Sequence, residues 1–208
     1  MSELHPRPGD ALVVVDLQND FVTGTLAVPG GPAIVPQLNR AVDAFVHERL
    51  PVVATRDWHP ADHCSFRDRG GPWPPHCVAE TEGAAYAPGL RLPPDTIHVR
   101  KGTTRDADAY SGFEGTPLAS DLRRRAVTRL FVAGLATDYC VLNTVRDAAG
   151  LGFDVVVLSD AIRAVNLRPE DGPQAEASMR AAGARFATVA DVIGADVDPP
   201  ATRLEAPA

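Results

Sequence analysis

The chain has 208 residues, of which 45% are hydrophobic and 23% charged, and its formal net charge is -7 at pH 7. This length is enough for one domain with a substantial apolar core. An acidic chain without a basic patch is a poor candidate for binding nucleic acid or an anionic membrane, so we expect neither partner. Residues 1–10 are polar and the apolar run after them is short, which does not resemble a signal peptide or a membrane span. We therefore expect a cytoplasmic protein.

Six apolar runs predict a series of buried strands. They lie at residues 11–15, 52–55, 96–99, 130–133, 154–158 and, more weakly, 185–189. Several are unbroken runs of Val, Ile and Leu, which is typical of strands buried on both faces of a parallel sheet. Apolar residues at helical spacing predict helices at 32–49, 117–126, 140–149 and 171–182.

The alternation of strands and helices predicts a single α/β domain over residues 1–208. We expect three layers, α/β/α, around a mostly parallel sheet of roughly six strands. The segment 58–94 is long and rich in Gly, Pro and His, and a loop of that size is usually functional. The Pro- and Ala-rich tail 196–208 is expected to be frayed. Three cysteines, at positions 64, 77 and 140, form no CxxC pair and indicate no disulfide framework.

Polar residues follow four of the predicted strands. Asp16 follows the first, Asp57 and His59 the second, Lys101 the third and, after a short turn, Cys140 the fourth. In an open parallel sheet, ligands bind beyond the carboxyl ends of the strands. Each residue alone has an ordinary explanation as a turn cap, a solvated charge or a packed side chain. A thiol, a carboxylate and an ammonium group at one edge are, however, the groups that acyl transfer needs.

The chemistry of these groups predicts a role for each of them. Cys140 is the nucleophile, and the N-terminus of its helix and Lys101 are expected to favour the reactive thiolate. Asp16 can accept the thiol proton and later give it to leaving ammonia. The backbone N–H groups of Ala136 and Cys140 can hold the oxyanion of the tetrahedral intermediate.

The long loop contains a candidate metal set. Asp57 and His59 lie two residues apart, and His76 comes from a later turn. One carboxylate and two imidazoles suit a divalent ion such as Zn, Fe or Mn. The pattern alone is a weak signal, and His63 stays open as a fourth ligand or as a residue that supports the ligands. The two cysteines of this loop are expected to be structural.

Five blocks of sequence carry a resemblance to a known family. They are VVVDLQNDF (13–21), TRDWHPADHCSF (55–66), GPWPPHCVAETEGAAY (71–86), KGTTRDADAYSGFEGT (101–116) and VAGLATDYCVLNTVRDAAGLGFDV (132–155). With their spacing, they resemble the isochorismatase-like hydrolases, and within these the nicotinamidase (pyrazinamidase) group. The blocks cover roughly residues 11 to 165, which is most of the chain.

The resemblance implies a reaction and a set of site residues. The reaction is hydrolysis of nicotinamide, and of pyrazinamide, through a cysteine thioester, as part of NAD salvage. The catalytic triad is Asp16, Lys101 and Cys140, the metal ligands are Asp57, His59 and His76, and the ring pocket is lined by Phe21, Trp73 and Tyr110. The metal orients the pyridine ring, no organic cofactor takes part, and the peptide 135–136 is cis. A homo-oligomer stays open, since relatives are often dimers or larger.

Three other functions compete with this interpretation. Another amidohydrolase of the same superfamily would keep the triad and act on a ureido or biuret-type substrate, but generally without the metal set. A non-catalytic binding module is disfavoured because the cysteine and its helpers are present. Hydrolysis of isochorismate is disfavoured because that chemistry does not use a cysteine at this position.

Overall fold

A parallel sheet of six strands forms the centre of the protein. The structure, a computed structural model, describes residues 3–194. The strands are β1 (Asp10–Val15), β2 (Val52–Asp57), β3 (Ile97–Lys101), β4 (Arg129–Leu135), β5 (Asp154–Arg163) and β6 (Arg185–Ala187). Their order in the sheet is β3-β2-β1-β4-β5-β6, and all neighbours are parallel. The strand order reverses between β1 and β4, where such sheets open a ligand crevice.

Helices cover both faces of the sheet. They are α1 (Asn19–Val22), α2 (Val35–His47), α3 (Leu118–Arg124), α4 (Leu142–Gly150), α5 (Asp171–Ala181) and α6 (Val189–Ile193). Apolar residues of α2 and α6 form one core with one face of the sheet, and those of α3, α4 and α5 form another core with the opposite face. Within the described part of the chain, no helix combines the length and the apolar character needed to cross a membrane.

The architecture confirms the predicted three-layer fold, with differences at the ends of elements. All six predicted strands are present. The predicted helix 140–149 begins earlier, because a π-helical turn (Thr137–Val141) leads into α4. The short helices α1 and α6 were not predicted, since four or five residues are too few to reveal a helical period. The tail 196–208, predicted to fray, lies outside the described residues.

Candidate active site

The carboxyl ends of β1 to β4 bring the predicted polar residues together. Asp57 and Lys101 are the last residues of β2 and β3, and they pair directly in the sheet register. Asp16 follows β1 immediately, and Cys140 lies in the π-helical turn after β4. All four side chains are buried. Residues remote along the chain therefore meet inside the protein at one edge of the sheet.

Lys101 lies at the centre of this cluster. Its Nζ is 2.9 Å from Asp16 Oδ2 and 3.4 Å from Cys140 Sγ. The same nitrogen donates to Asp57 Oδ1 at 2.5 Å and to the carbonyl of Ala109 at 3.2 Å. Asp57 was predicted only as a metal ligand, so its ion pair with Lys101 is an additional contact. One carboxylate thus links the triad to the metal set.

The hydroxyl of Thr55 orients Asp16. It donates to Asp16 Oδ1 at 2.7 Å and accepts the backbone N–H of Asp16 at 3.2 Å. Although Asp16 Oδ2 is close to the Lys101 ammonium, it accepts no well-directed hydrogen bond from the described residues. A carboxylate oxygen of Asp16 lies within 4.8 Å of Cys140 Sγ. Asp16 is therefore near enough to the thiol to exchange a proton with it after a small movement.

Burial and charge set the proton equilibria of these groups. Burial raises the pKa of the Cys140 thiol well above its ordinary value, with Lys101 opposing and the charges of Asp16 and Asp57 adding to the rise. Burial alone would lower the pKa of Lys101, but the two carboxylates outweigh it and keep that pKa well above normal. Lys101 lowers the pKa of Cys140, which is the direction predicted from the sequence, whereas burial acts in the opposite direction. Burial and the two carboxylates favour the protonated thiol, and the Asp16 carboxylate lies within reach as a base.

The turn that contains Cys140 has an irregular backbone. The peptide bond between Leu135 and Ala136 is cis, as the resemblance implies. The carbonyl of Ala136 accepts hydrogen bonds from the N–H groups of Tyr139 and Val141, which flank Cys140 on either side. The π-helical turn thus folds back onto Ala136 and brings the backbone of residues 136 and 140 close together.

Two glycines allow close contacts at the site. Gly134 has a φ of 121°, and an added Cβ would lie 2.0 Å from the carbonyl oxygen of Val15 in β1. Gly102 has a φ of 58°, and an added Cβ would lie 2.5 Å from Cε1 of His59. A side chain at either position would displace a strand end or a predicted metal ligand.

The three predicted metal ligands converge next to the triad. Donor atoms of Asp57, His59 and His76 lie within 4.8 Å of one another, and all three residues are buried. His59 Nδ1 lies 2.8 Å from the carbonyl oxygen of Gly102, and His76 Nδ1 lies 2.8 Å from that of Pro74. Because a carbonyl only accepts, Nδ1 of each neutral ring has the proton and Nε2 keeps its lone pair. This donor set fits a divalent ion such as zinc.

His63 packs behind the ligands. Its ring stacks on that of His59, with centroids 4.0 Å apart. Its Nδ1 is 2.7 Å from the hydroxyl of Ser65 and its Nε2 is 3.1 Å from the carbonyl of Ala107. Asp108 completes a second group of donor atoms with the two histidines. Both His63 nitrogens have polar partners, and its two predicted roles, as a fourth ligand or as support for His59, stay predictions.

A cavity of about 420 Å³ opens over Cys140. Asp57, His76 and Ala136 lie on its wall, so the candidate nucleophile and the metal set face the same space. The three predicted pocket aromatics, Phe21, Trp73 and Tyr110, also line it. The cavity is therefore suited to a flat ring with a polar substituent.

Several residues of the cavity wall were not predicted. One is Tyr139, which packs edge-on against Trp73 with ring centroids 5.2 Å apart. Trp73 also donates its indole N–H to the Tyr110 hydroxyl at 3.1 Å. Tyr139 could have been proposed, because it precedes the cysteine directly. Val165 and Leu167 also line the cavity, but they lie in a loop after β5 that carried no sequence signal. The other two cysteines are free and do not line this cavity.

The comparison with protein families assigns the chain to a known family. Residues 10–193 match the isochorismatase domain, so the protein belongs to the isochorismatase family. Its relatives include the nicotinamidase of Escherichia coli strain K12. The two chains are 41% identical over 206 residues, which covers 88% of this chain and 97% of the relative.

Solved structures of similar proteins share the fold. The pyrazinamidase of Pyrococcus horikoshii, in complex with zinc, is 46% identical with a TM-score of 0.84, and the match covers 87% of this chain and 99% of that one. PnC1 from L. infantum, in complex with nicotinate, is 38% identical with a TM-score of 0.85, and the match covers 93% and 99%.

Proposed function

We propose that the protein hydrolyses nicotinamide to nicotinic acid and ammonia, and pyrazinamide by the same chemistry. The observation that carries the proposal is the position of Cys140 Sγ. It lies 3.4 Å from Lys101 Nζ and faces a cavity whose wall also contains the predicted metal ligands Asp57 and His76. The similarity to nicotinamidases and pyrazinamidases supports this substrate class. In this proposal the enzyme acts in the cytoplasm in NAD salvage.

The first half of the reaction transfers the acyl group to the enzyme. Asp16 takes the proton of the Cys140 thiol as the sulfur attacks the amide carbon. The backbone N–H groups of Ala136 and Cys140 receive the negative charge that develops on the carbonyl oxygen. Asp16 then passes the proton to the amide nitrogen, the C–N bond breaks, and ammonia leaves. The product of this half is a thioester on Cys140.

The second half releases the acid. A water molecule attacks the thioester carbon while Asp16 accepts one of its protons. The C–S bond breaks, the proton returns to the sulfur of Cys140, and the acid leaves the cavity. Against the effect of burial, the carboxylates of Asp16 and Asp57 raise the pKa of Lys101 well above its ordinary value, which favours the charged form of Lys101. Its charge stabilises the sulfur when it becomes a thiolate.

Asp57, His59 and His76 would hold one divalent metal ion. When bound there, the ion supplies a Lewis-acidic partner for the pyridine nitrogen and so orients the substrate. Phe21 and Trp73 would bind the faces and edge of the ring and exclude water from it. No organic cofactor takes part in this proposal.

Ammonia release from nicotinamide by the purified protein tests the function. We expect release with added zinc, iron or manganese and a strong loss after treatment with a chelator. A parallel assay with a ureido-type amide distinguishes the alternative amidohydrolase. Release from the ureido compound alone, unaffected by the chelator, would contradict the proposal.

A further inference from the structure

We propose that Gln18, in the turn before α1, and Asp20, in the first turn of α1, are positioning residues that hold the predicted metal ligands in place before an ion binds. The inference rests on the proposed metal set. Both residues act through other residues and not on the substrate. Each binds backbone groups of, or next to, a metal ligand.

The side chain of Gln18 holds the main chain of Asp57. Gln18 is fully buried. Its Nε2 donates to the carbonyl of Asp57 at 2.8 Å and to that of Ala84 at 3.0 Å, and its Oε1 accepts the N–H of Asp57 at 2.8 Å. Because both backbone groups of Asp57 are bound to one amide, the main chain that carries the carboxylate cannot shift without breaking two buried hydrogen bonds.

The carboxylate of Asp20 holds the peptide that follows His76. Its Oδ2 accepts the N–H of Cys77 at 2.7 Å, and its Oδ1 accepts that of Thr25 at 3.2 Å. Cys77 has a φ of 44°, a left-handed conformation that is unfavourable for a residue with a side chain. An added Cβ on Gly83 would lie 2.2 Å from Asp20 Oδ2, so the 3₁₀ turn Glu82–Ala84 approaches the carboxylate closely.

The contacts of Gln18 and Asp20 come from neighbouring positions in the chain, so together they restrain two of the predicted metal ligands. Asp57 ends a strand, whereas His76 lies well inside the irregular segment before β3. Gln18 and Asp20, two residues apart at the start of α1, bind both places, and this restrains the distance between two predicted ligands that the sheet alone does not control. Loss of such outer partners typically weakens metal binding about 10- to 100-fold.

The test measures metal affinity and not activity. Gln18→Met removes the amide at similar volume, and Asp20→Asn weakens the acceptor of the Cys77 N–H. Zinc dissociation constants are measured for the full, metal-stripped proteins by competition with a chromophoric chelator. We expect the dissociation constant to rise at least about tenfold in each variant. If Gln18→Met does not fold, Gln18→Glu, which loses only the donor, is expected to show a smaller rise.

Matched controls separate positioning from general stability. Asn39 donates to the carbonyl of Gly89 at 2.8 Å and accepts the N–H of Arg91 at 2.9 Å, which is the same type of contact away from the metal set. Asp160 accepts the N–H of Val189 at 2.8 Å. Asn39→Leu and Asp160→Asn should therefore keep the wild-type zinc affinity.

Two outcomes would overturn the inference. The first is wild-type zinc affinity in both Gln18→Met and Asp20→Asn. The second is an equal loss of zinc affinity in the two control variants. Wild-type protein that binds no zinc would instead remove the metal site itself, and with it the proposal that rests on it.

Discussion

The triad and the metal set lie side by side but are held in different ways. The triad is built on regular structure: Asp16 follows β1, Lys101 ends β3, and Cys140 follows β4. Of the predicted metal ligands, Asp57 ends a strand, and the other two lie in the segment between β2 and β3. That segment contains only short 3₁₀ turns and isolated bridges such as the pairing of His59 with Val78.

This difference shows which contacts determine the geometry of the triad and which determine that of the metal set. Parallel pairing brings the carboxyl ends of β1, β3 and β4 to one edge of the sheet, so the position of the triad follows from the sheet. The histidines depend on local contacts, such as those of their Nδ1 atoms with backbone carbonyls. Substitutions in the triad should therefore affect chemistry or core stability, whereas substitutions in the loop should affect metal and substrate binding.

Replacement of Cys140 should have the largest effect. Cys140→Ala is expected to lower kcat about 10⁴-fold or more while leaving the fold intact, because the covalent step has no other nucleophile. The measurement is ammonia release together with circular dichroism. Cys64→Ala is the control, since Cys64 does not line the cavity, and it should retain activity. A near-normal rate in Cys140→Ala would refute covalent catalysis.

Replacement of Lys101 should reduce both activity and stability. Lys101→Met leaves the buried carboxylates of Asp16 and Asp57 without their cation, which typically costs about 3–5 kcal/mol in the free energy of unfolding. It also removes the charge that lowers the pKa of Cys140, so alkylation by iodoacetamide at neutral pH should slow.

Arg129 offers a matched control for Lys101. It forms a buried ion pair with Asp10 at 2.6 Å, at the opposite end of the sheet. Arg129→Met should lower the free energy of unfolding, measured in urea, by a similar amount. The alkylation rate of Cys140 should stay unchanged in that variant, and equal slowing in both would contradict the role of Lys101.

Replacement of His76 should affect the metal set and leave the triad intact. His76→Ala removes one of three predicted ligands, so zinc content by elemental analysis should fall strongly. The alkylation rate of Cys140 should change by less than about twofold, since the hydrogen bond of Cys140 is to Lys101 and that of His76 is to the carbonyl of Pro74. His98→Ala is the control, as His98 is exposed and forms no part of a candidate metal set. Unchanged zinc content in His76→Ala would remove it from the site.

Replacement of Trp73 should have the smallest effect of the four. Trp73→Ala removes a wall of the cavity and the donor to Tyr110, so KM for nicotinamide should rise about tenfold with a smaller change in kcat. Trp58→Ala is the control, because Trp58 packs against Arg56 and Arg100 and does not line the cavity. An equal rise of KM in both variants would indicate a general structural effect.

Most of the fold could be predicted because buried parallel strands have a strong local signal. Several of the strands are unbroken apolar runs of Val, Ile and Leu, and all six predicted strands are present in the structure. The early start of the helix that contains Cys140 could not be predicted, because a π-helical turn has no distinct residue pattern. Helix α1 could not be predicted either, because its four residues are too few to show a helical period.

The candidate site was only partly predictable. The position of Asp16, Lys101 and Cys140 at one edge follows from strand order and was expected from the residues themselves. The pocket aromatics came only from the family resemblance, and the ion pair between Asp57 and Lys101 was missed because register is a tertiary property. The raised pKa of the Cys140 thiol was missed for the same reason, since the depth of burial depends on packing that no single segment encodes.

Gly102 has a consequence for attempts to re-engineer the protein. It follows the triad lysine directly, its carbonyl binds the ring of His59, and it has no room for a side chain. A loop grafted between β2 and β3 would have to keep His59 and His76, and it would have to be joined to a strand that ends in Lys101 followed directly by Gly102. A shift of Lys101 by one position would remove its contacts with Asp16 and Cys140, and a shift of Gly102 would remove the carbonyl that binds His59.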